Sequence, residues 1–406
     1  MSTDTPPPSG AVRPLDGIRV LDLSRVLAGP LCASMLADLG AIVTKIEVPG
    51  RGDDSRHFTP HIEGESSYFM LVNRGKRSMA LDLKSDEGRA LLHRLIADAD
   101  VLVENFRPGV TARLGIDFES VRALNPGLVY VSISGFGQTG PLSHRPAYDH
   151  IVQAMGGIMS ATGWADGPPT RVGDAVGDVV AGMYGAFGAL AALLQRAQTG
   201  QGQHVDVAML DAMFSLQMVA LSQVLAGAPA PSRLGNAHPI SAPMDAYACS
   251  DGHLVIAVAN DALFVRLANA LGRAELLDDA RYATDPARLA HQDALRAEIE
   301  AWTSARTVDE AVTELETAGV PAAPIWDVAQ LAESDHARER GLVREVEHPV
   351  AGTVPLVPQP VRFSGTDAAA QAPAPVLGQH TDDVLADDLG LEADEIARLR
   401  AAGVVA

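Results

Sequence analysis

The chain is poor in cysteine. Only two cysteines, Cys32 and Cys249, occur in 406 residues, and both stand in apolar surroundings far apart in the sequence. Such usage favours reduced side chains in a cytoplasmic protein over a disulfide scaffold, and it offers no zinc site. The first 14 residues lack the apolar segment of a signal peptide and are expected to form a flexible tail.

Positive charge is scarce as well. The chain has 51 acidic and 31 basic side chains, a formal net charge of −20, which argues against nucleic acid or an anionic membrane as a partner. All three lysines and four arginines cluster near the start of the chain: Lys45, Arg51, Arg56, Arg74, Lys76, Arg77 and Lys84. We expect a basic patch for an anionic ligand in this region, with a solvated charged face as the alternative.

Several familiar motifs are missing. The sequence contains no H-E-x-x-H, no C-x-x-C, no Walker-type G-K-[ST] and no G-x-S-x-G, so metal, nucleotide-triphosphate and serine-hydrolase chemistry are not expected. The stretch GFGQTG at 135–140 matches a dinucleotide fingerprint, but Pro141 follows at once and no helix can open within the motif. No apolar run is long and clean enough to predict a membrane span.

The pattern of elements predicts an α/β fold. Short β-branched runs at 18–23, 42–47, 78–83, 101–104 and 128–133 are typical of strands. Helical patterns at 30–39 and 86–97 separate them. Alternating strands and helices indicate a mostly parallel sheet covered by helices.

The domain prediction follows from composition. Residues 1–14 form a tail, 15–225 the large α/β domain, 226–330 a smaller α+β domain and 331–406 a final segment. The boundary near 226 rests on a stretch rich in Pro, Ala and Gly at 226–231.

Asp178 is the most informative residue. It follows Gly177 and opens a run to about Gln195 that carries no other charge, which predicts a buried helix beginning at Asp178. Two interpretations remain open for its carboxylate: a helix N-cap, or a nucleophile placed at the positive end of the helix dipole.

A set of short motifs recurs together in one family. These are PLDGIRVLDL at 14–23, VLAGP at 26–30, VENFRPG at 103–109, the Gly-Asp pair at 177–178, TGQG at 199–202 and LGQHT at 377–381. With them the chain resembles the class III CoA-transferases, the group of formyl-CoA transferase and carnitine CoA-transferase, from about residue 14 to the end.

The resemblance implies a mechanism. In that family the aspartate of the Gly-Asp motif is the nucleophile, which falls here on Asp178. Its carboxylate would attack an acyl-CoA to give a mixed anhydride and then an aspartyl-CoA thioester. Coenzyme A would serve as a substrate, and no metal or redox cofactor would be required.

The resemblance also implies roles for other positions. Tyr148 would line the acyl site and Asp149 would assist proton or charge management, with a packed Tyr and a capping Asp as the alternative. The implied CoA-contacting set is Leu27, Ala28, Leu81, Lys84, Asn105, Phe106 and Arg113. Arg25, Arg171 and His238 are candidates for binding a distal carboxylate.

The implied substrates are succinyl-CoA and a dicarboxylate such as glutarate, itaconate, mesaconate or malate. Two alternatives stay open: a 2-methylacyl-CoA racemase, whose expected His and Glu are replaced by Tyr148 and Asn260, and a non-catalytic CoA-binding protein. The family architecture further implies a Rossmann-like large domain completed by the C-terminal segment, within an interlocked homodimer.

Overall fold

The computed structural model describes residues 12–368 and 372–406, so most of the predicted tail lies outside the described residues. The chain forms two compact units. The first comprises Met1–Gly157, Val172–Gln217 and Ala337–Ala406, and the second comprises Ile158–Arg171 and Met218–His336.

The strands alternate with helices through most of the first unit. The strands are β1 Arg19–Asp22, β2 Ile42–Glu47, β3 His61–Ile62, β4 Glu65–Ser66, β5 Lys76–Ala80, β6 Val101–Glu104, β7 Val129–Ser134, β8 His204–Ala208, β9 Met244–Ala248, β10 His253–Ala257, β11 Ala322–Pro324, β12 Arg344–His348 and β13 Gly352–Leu356.

The α-helices are α1 Ala28–Asp38, α2 Ser67–Val72, α3 Asp86–Ala97, α4 Val110–Leu114, α5 Phe118–Val121, α6 Asp149–Met155, α7 Ile158–Ala161, α8 Val176–Thr199, α9 Met209–Ser215, α10 Met218–Leu225, α11 Asp261–Ala270, α12 Asp285–Ala290, α13 Gln292–Thr303, α14 Val308–Thr317, α15 Val328–Glu333, α16 Asp335–Arg340, α17 Thr381–Asp383 and α18 Ala393–Ala401. Short 3-10 helices span Asp54–His57 and Ala274–Leu277, and a π-helix spans Val384–Asp388.

The first unit is built on a six-stranded sheet in the order β5-β2-β1-β6-β7-β8. Every neighbouring pair is parallel. Numbered along the chain, these strands follow the order 3-2-1-4-5-6 of a doubly wound Rossmann-type sheet, whose direction of winding reverses between β1 and β6. The predicted α/β class is confirmed, and all five predicted strands belong to this sheet.

The C-terminal segment packs beside the edge strand β5. The Ala80 N–H donates to the Thr381 hydroxyl (3.1 Å), and the Asp82 N–H donates to the Val404 carbonyl (2.9 Å). Leu385, Leu399 and other apolar residues of the segment join the buried core under the sheet. The edge is thereby covered, as an exposed strand edge requires.

The second unit has its own core around the antiparallel sheet β11-β10-β9. It differs from the predicted small domain, 226–330, in three places. Its main stretch begins at Met218 and ends at His336, and it includes Ile158–Arg171, which the sequence assigned to the large domain. The segment belongs there because Arg233 Nε donates to the Trp164 carbonyl (3.2 Å) and the Gly235 N–H to the Gly163 carbonyl (2.9 Å).

Helix α8 is unusually apolar for its length. Among the described residues it is the one helix long and apolar enough to cross a membrane by length and composition, which the sequence analysis did not expect. A core helix meets the same two criteria, and α8 packs closely against α1 and β7: a Cβ atom on Gly185 would lie 2.8 Å from Ile133 Cδ1 and 3.1 Å from Cys32 Sγ. We infer no membrane span from it.

Candidate active site

Two helices begin side by side at the carboxyl end of the sheet. A Cβ atom on Gly182 would lie 2.7 Å from the Ala28 carbonyl oxygen, and one on Gly185 would lie 3.1 Å from Cys32 Sγ. As α8 advances from Gly182 to Gly185, α1 therefore advances from Ala28 to Cys32, and the two helices run in the same direction. Asp178 lies one turn before Gly182, beside the residues that precede Ala28.

Asp178 does not cap its helix. Helix α8 begins at Val176, and its N-cap is Ala175, whose side chain makes no capping hydrogen bond. The N-cap interpretation is therefore wrong, because the helix starts two residues earlier than the charge pattern indicates. Asp178 lies in the first turn, where the helix dipole favours a negative charge.

The carboxylate of Asp178 is poorly satisfied. No hydrogen bond to it occurs within residues 12–368 and 372–406, although the residue is only partly exposed. Burial and then the nearby charge of Asp149 raise the pKa of Asp178 to about 7. A half-buried carboxylate without a cationic partner is costly in a structural role and typical of a reactive one.

Asp149 takes the capping role instead. It is the first residue of α6, and its Oδ1 accepts the Gly177 N–H (2.8 Å) while its Oδ2 accepts from Gln153 Nε2 (2.7 Å). A Cβ atom on Gly177 would lie 2.7 Å from Val152 Cγ2 and 3.1 Å from that Oδ1. The Gly-Asp motif thus has a steric cause, since only glycine lets Asp149 approach the helix backbone next to Asp178.

Gln153 is a residue that the sequence analysis missed. Its side chain is fully buried, and its amide donates to the Asp174 carbonyl (3.1 Å) as well as to Asp149, while its oxygen accepts the Val172 N–H (2.9 Å). It holds both Asp149 and the segment that leads into α8. The available signal was its position four residues after Asp149 on one helix.

Two tyrosines differ in their surroundings. Tyr148, predicted from the resemblance, is the N-cap residue of α6 and is 72% exposed. Tyr68, which the sequence analysis missed, lies on α2 within electrostatic reach of Asp178. Burial and then the charges of Asp178, Asp174 and Asp53 raise the pKa of Tyr68 to about 12. Nothing in the sequence links Tyr68 to Asp178, because more than 100 residues separate them.

The turn after β1 gathers several predicted residues. Asn105 Oδ1 accepts the Arg25 N–H (2.9 Å) and Asn105 Nδ2 donates to the Arg25 carbonyl (2.7 Å). Leu27 and Ala28 follow as buried residues at the start of α1. These residues lie beyond the carboxyl ends of β1 and β6, at the reversal point of the sheet where doubly wound folds bind ligands.

Glu104 and Phe106 flank Asn105. The Phe106 N–H donates to Glu104 Oε2 (2.8 Å). Glu104 is buried, and burial raises its pKa to about 7 even though Ser132 and the Phe106 N–H favour its charged form.

The remaining predicted CoA contacts are Leu81, Lys84 and Arg113. The Leu81 side chain belongs to the buried core, which leaves only its backbone to contact a ligand. Lys84 is exposed, and its N–H donates to Asp82 Oδ1 (2.9 Å). Arg113 is exposed in the last turn of α4.

Two candidates for a distal carboxylate belong to the second unit. Arg171 ends the segment Ile158–Arg171 and is exposed. The His238 N–H donates to the Met244 carbonyl (2.9 Å), and its Nδ1 accepts the Ile240 N–H (3.4 Å). Arg25, the third candidate, lies in the first unit and pairs with Asp54 at 3.3 Å.

The predicted N-terminal basic patch is wrong. Lys45 and Lys76 are fully buried and pair with acids, and Arg74 is buried against Asp38 (2.6 Å). Arg56 is largely buried against Glu47 (2.7 Å). Four of the seven basic residues are therefore engaged in interior ion pairs. The sequence analysis missed this because composition counts charges but does not show their partners.

Comparison with known proteins identifies the family. A family model described as CoA-transferase family III matches residues 15–381. The chain is 44% identical over 382 residues to the succinate–glutarate CoA-transferase of Agrobacterium fabrum, covering 92% of this chain and 95% of that protein. It is also 44% identical over 381 residues to the acetyl-CoA:oxalate CoA-transferase of Acetobacter aceti, with 93% and 96% covered.

A solved structure agrees with these relatives. The crystal structure of a CAIB/BAIF family protein from Brucella suis matches with a TM-score of 0.83 at 41% identity, covering 92% of this chain and 99% of that one. The chain belongs to CoA-transferase family III, which confirms the resemblance seen in its motifs. It is an enzyme that transfers coenzyme A.

Proposed function

We propose that this enzyme moves CoA from succinyl-CoA to a dicarboxylic acid through covalent intermediates on Asp178. The observation that carries the proposal is the carboxylate itself. Asp178 has no hydrogen bond within the described residues, lies in the first turn of α8, and has a pKa raised to about 7 by burial and by Asp149. The relatives supply the substrate class, since one is named a succinate–glutarate CoA-transferase.

The first half-reaction forms an aspartyl thioester. An oxygen of Asp178 attacks the thioester carbonyl of succinyl-CoA, the C–S bond breaks, and CoA leaves as a thiolate with the bonding electron pair. The product is a mixed anhydride of Asp178 and succinate. The thiolate then attacks the carbonyl carbon of the Asp178 side chain, and succinate leaves as a carboxylate.

The second half-reaction reverses these steps with a new acid. The acceptor carboxylate attacks the aspartyl-CoA thioester, and the thiolate leaves. The thiolate then attacks the acceptor carbonyl of the new anhydride, which forms the product thioester and restores the Asp178 carboxylate. No net proton is taken up or released, and the thioester bond energy is kept.

The surroundings suit this chemistry. A carboxylate with a raised pKa is a stronger nucleophile than an ordinary aspartate, and at neutral pH a large fraction of Asp178 is ionised. The N-terminal ends of α1 and α8 lie beside it, and their backbone N–H groups favour the negative charge that develops on the carbonyl oxygen.

The substrate contacts remain part of the proposal. Leu27, Ala28, Lys84, Asn105, Phe106 and Arg113 are assigned to CoA, as is Leu81 through its backbone. Of the three candidates for the distal carboxylate, Arg25 is assigned to it. Arg25 suits this role because its present partner Asp54 is a surface ion pair, which costs little to exchange for a substrate. Tyr148 is assigned to the acyl group.

We also propose that the protein is a homodimer and that it is located in the cytoplasm. The first unit exposes large apolar side chains on α8 and α9: Met183, Phe187, Leu194 and Phe214 are 49–68% exposed. Apolar exposure of this kind marks an interaction surface. Light scattering on the purified protein tests the dimer by its mass.

The racemase alternative gains no support from its distinguishing position. Asn260 replaces the expected Glu and caps α11, with its Oδ1 accepting the Leu263 N–H (3.0 Å). The amide side chain of asparagine has no titratable group, so Asn260 cannot take the acid–base role of the expected Glu.

The test is a search for the covalent intermediate. The protein is incubated with succinyl-CoA alone and its intact mass is measured, then glutarate, itaconate, mesaconate, malate or oxalate is added and new CoA thioesters are identified. We expect a CoA adduct on the wild type, discharged by at least one acid, and no adduct on Asp178→Ala.

The matched control is Asp174→Asn, which alters an exposed acid in the segment before α8. We expect it to keep the adduct. An adduct that persists in Asp178→Ala, or transfer activity that survives this substitution, contradicts the proposed nucleophile.

A further inference from the structure

Lys45 is a fully buried lysine in a chain that has only three. Its Nζ lies 2.7 Å from the Ser24 carbonyl oxygen, 2.9 Å from Asp53 Oδ2 and 3.6 Å from Asp22 Oδ2. Burial alone would lower the pKa of Lys45, but the charges of Asp22 and Asp53 outweigh burial and raise it. The lysine is therefore charged, and its charge holds the backbone at Ser24 and the carboxylate of Asp53.

Asp53 links Lys45 to the backbone of Val26. Its Oδ1 accepts the Val26 N–H (3.1 Å), the Ser55 N–H (2.9 Å) and the Ser55 hydroxyl (2.8 Å). The opposite oxygen faces Lys45, so the carboxylate cannot turn away from Val26 without losing its ion pair. Lys45, on β2, thus fixes an N–H group in the turn that follows β1.

Val26 is in a strained conformation. Its φ is +71°, and among the described residues only Glu63 shares a positive φ without being glycine. A β-branched residue in this region is a true outlier, which persists only where its surroundings determine it. The hydrogen bond from Val26 to Asp53 is one such constraint.

The other side of the turn is held as well. Asn105 pairs with both backbone groups of Arg25 (2.9 and 2.7 Å), and Asp22 Oδ1 accepts the Ser24 N–H (2.9 Å) and the Ser24 hydroxyl. Side chains from four places in the chain therefore fix three consecutive residues.

The turn leads directly to the nucleophile's neighbourhood. Leu27 and Ala28 follow Val26, and the Ala28 carbonyl oxygen would lie 2.7 Å from a Cβ atom on Gly182, one turn after Asp178. Because α1 and α8 run in the same direction, a shift of Val26 displaces the groups beside Asp178. A displacement of about 1 Å near reacting atoms can cost about 100-fold in rate.

We propose that Lys45 is a positioning residue for CoA transfer, which with Asp53 holds Val26 in the left-handed conformation that sets Leu27 and Ala28 beside Asp178. This inference rests on the proposed function for the role of Asp178. Lys45 itself contacts no substrate, because it is enclosed by the protein.

The experiment is a rescue by glycine. We expect Lys45→Met to lower kcat by about 10- to 100-fold with little change in KM. Adding Val26→Gly should restore at least half of that loss on a logarithmic scale, since glycine adopts positive φ without strain. The matched control, Lys45→Met with Val26→Ala, should recover little, because alanine still disfavours this conformation.

A second background guards against misfolding. If Lys45→Met does not fold, the same rescue is measured in Lys45→Met with Asp53→Asn, where no unpaired buried charge remains at this pair. Folded Lys45 variants with wild-type kcat, or variants that Val26→Gly does not improve, overturn the inference.

A structural readout separates this inference from the proposed function. Hydrogen exchange at the Val26 and Leu27 amides should quicken in Lys45→Met and slow again with Val26→Gly, whether or not Asp178 is the nucleophile. Transfer activity that survives Asp178→Ala rejects the proposed function alone, whereas unchanged exchange in Lys45→Met rejects the positioning role alone.

Discussion

Asp53 and Asp178 are two acids in the same unit, and their surroundings are opposite. Asp53 accepts three hydrogen bonds and faces the ammonium group of Lys45. Although burial opposes it, Lys45 and these donors lower the pKa of Asp53 to about 2. Asp178 has no hydrogen bond within the described residues, and burial together with Asp149 raises its pKa to about 7.

The difference distinguishes an acid that stabilises the fold from an acid that is available to react. A carboxylate surrounded by donors and a cation has its lone pairs engaged, and its charge stabilises the fold. A carboxylate beside a second acid keeps its lone pairs available, and its charge destabilises the fold. The charges of both Asp178 and Asp53 raise the pKa of Tyr68, so the two acids lie in the same region of the first unit.

The largest expected effect is on stability, from Asp53→Ala. Removing this acid leaves Lys45 buried without one of its two partners and Val26 without its acceptor, and we expect a loss of about 3–5 kcal/mol in the free energy of unfolding. Urea denaturation at pH 7 measures it. Because the folded pKa is depressed, the wild-type contribution is present above pH ~4 and is lost as the pH falls toward ~2.

Asp178→Asn is the matched opposite. The folded pKa of Asp178 is raised from 3.8 to about 7, so its ionisation lowers stability progressively as the pH rises through that range. The variant should therefore gain about 1–2 kcal/mol at pH 8 and almost nothing at pH 4. Equal losses from both substitutions contradict the comparison.

A smaller effect is expected from Gly177→Ala. The added methyl group would meet Val152 and the Asp149 carboxylate at 2.7 and 3.1 Å, and we expect about 1–3 kcal/mol of destabilisation with a reduced kcat. Thermal unfolding and transfer assays measure both. Gly173→Ala is the control, because its methyl group would meet no atom within 4 Å; similar losses in the two variants would remove the steric account of the Gly-Asp motif.

The smallest effect is a shift of the pH profile by Asp149→Asn. The wild-type kcat/KM should rise with pH as Asp178 ionises, with a midpoint near pH 7. Neutralising Asp149 removes a charge that raises this pKa, so the midpoint should move to lower pH. Glu104 also has a pKa of about 7, so Glu104→Gln is the control and should leave the midpoint of the profile unchanged. A midpoint that moves in Glu104→Gln but not in Asp149→Asn would mean that the profile reports the ionisation of Glu104 rather than of Asp178.

The sequence predicted much of the fold. The β-branched runs and the helical patterns between them identified every main-sheet strand up to β7, because burial on both faces leaves a strong pattern. The motifs led to the family and, by resemblance, to Asp178. The beginning of α8 was misplaced by two residues, since no charge or capping side chain marks Ala175.

The missed features depend on contacts between distant residues. Lys45 and Lys76 were expected at the surface, where lysine is usually found, but Asp22 and Asp53 pair with them in the interior. Tyr68 reaches Asp178 only through the fold, and Val26, whose φ is positive, finds the acceptor for its N–H on Asp53, 27 residues along the chain. No local pattern encodes such pairings.

The glycines of α8 bear on the distance between Asp178 and the turn after β1. At Gly182 the backbone of α8 lies against the Ala28 carbonyl, and at Gly185 it lies against the Cys32 and Ile133 side chains, so no α8 side chain at these two positions sets the distance between Asp178 and the turn after β1. Mutations at positions that contact the acceptor acid can therefore accumulate without changing this distance. One chemical step can thereby be kept constant while relatives diverge in the acids they use.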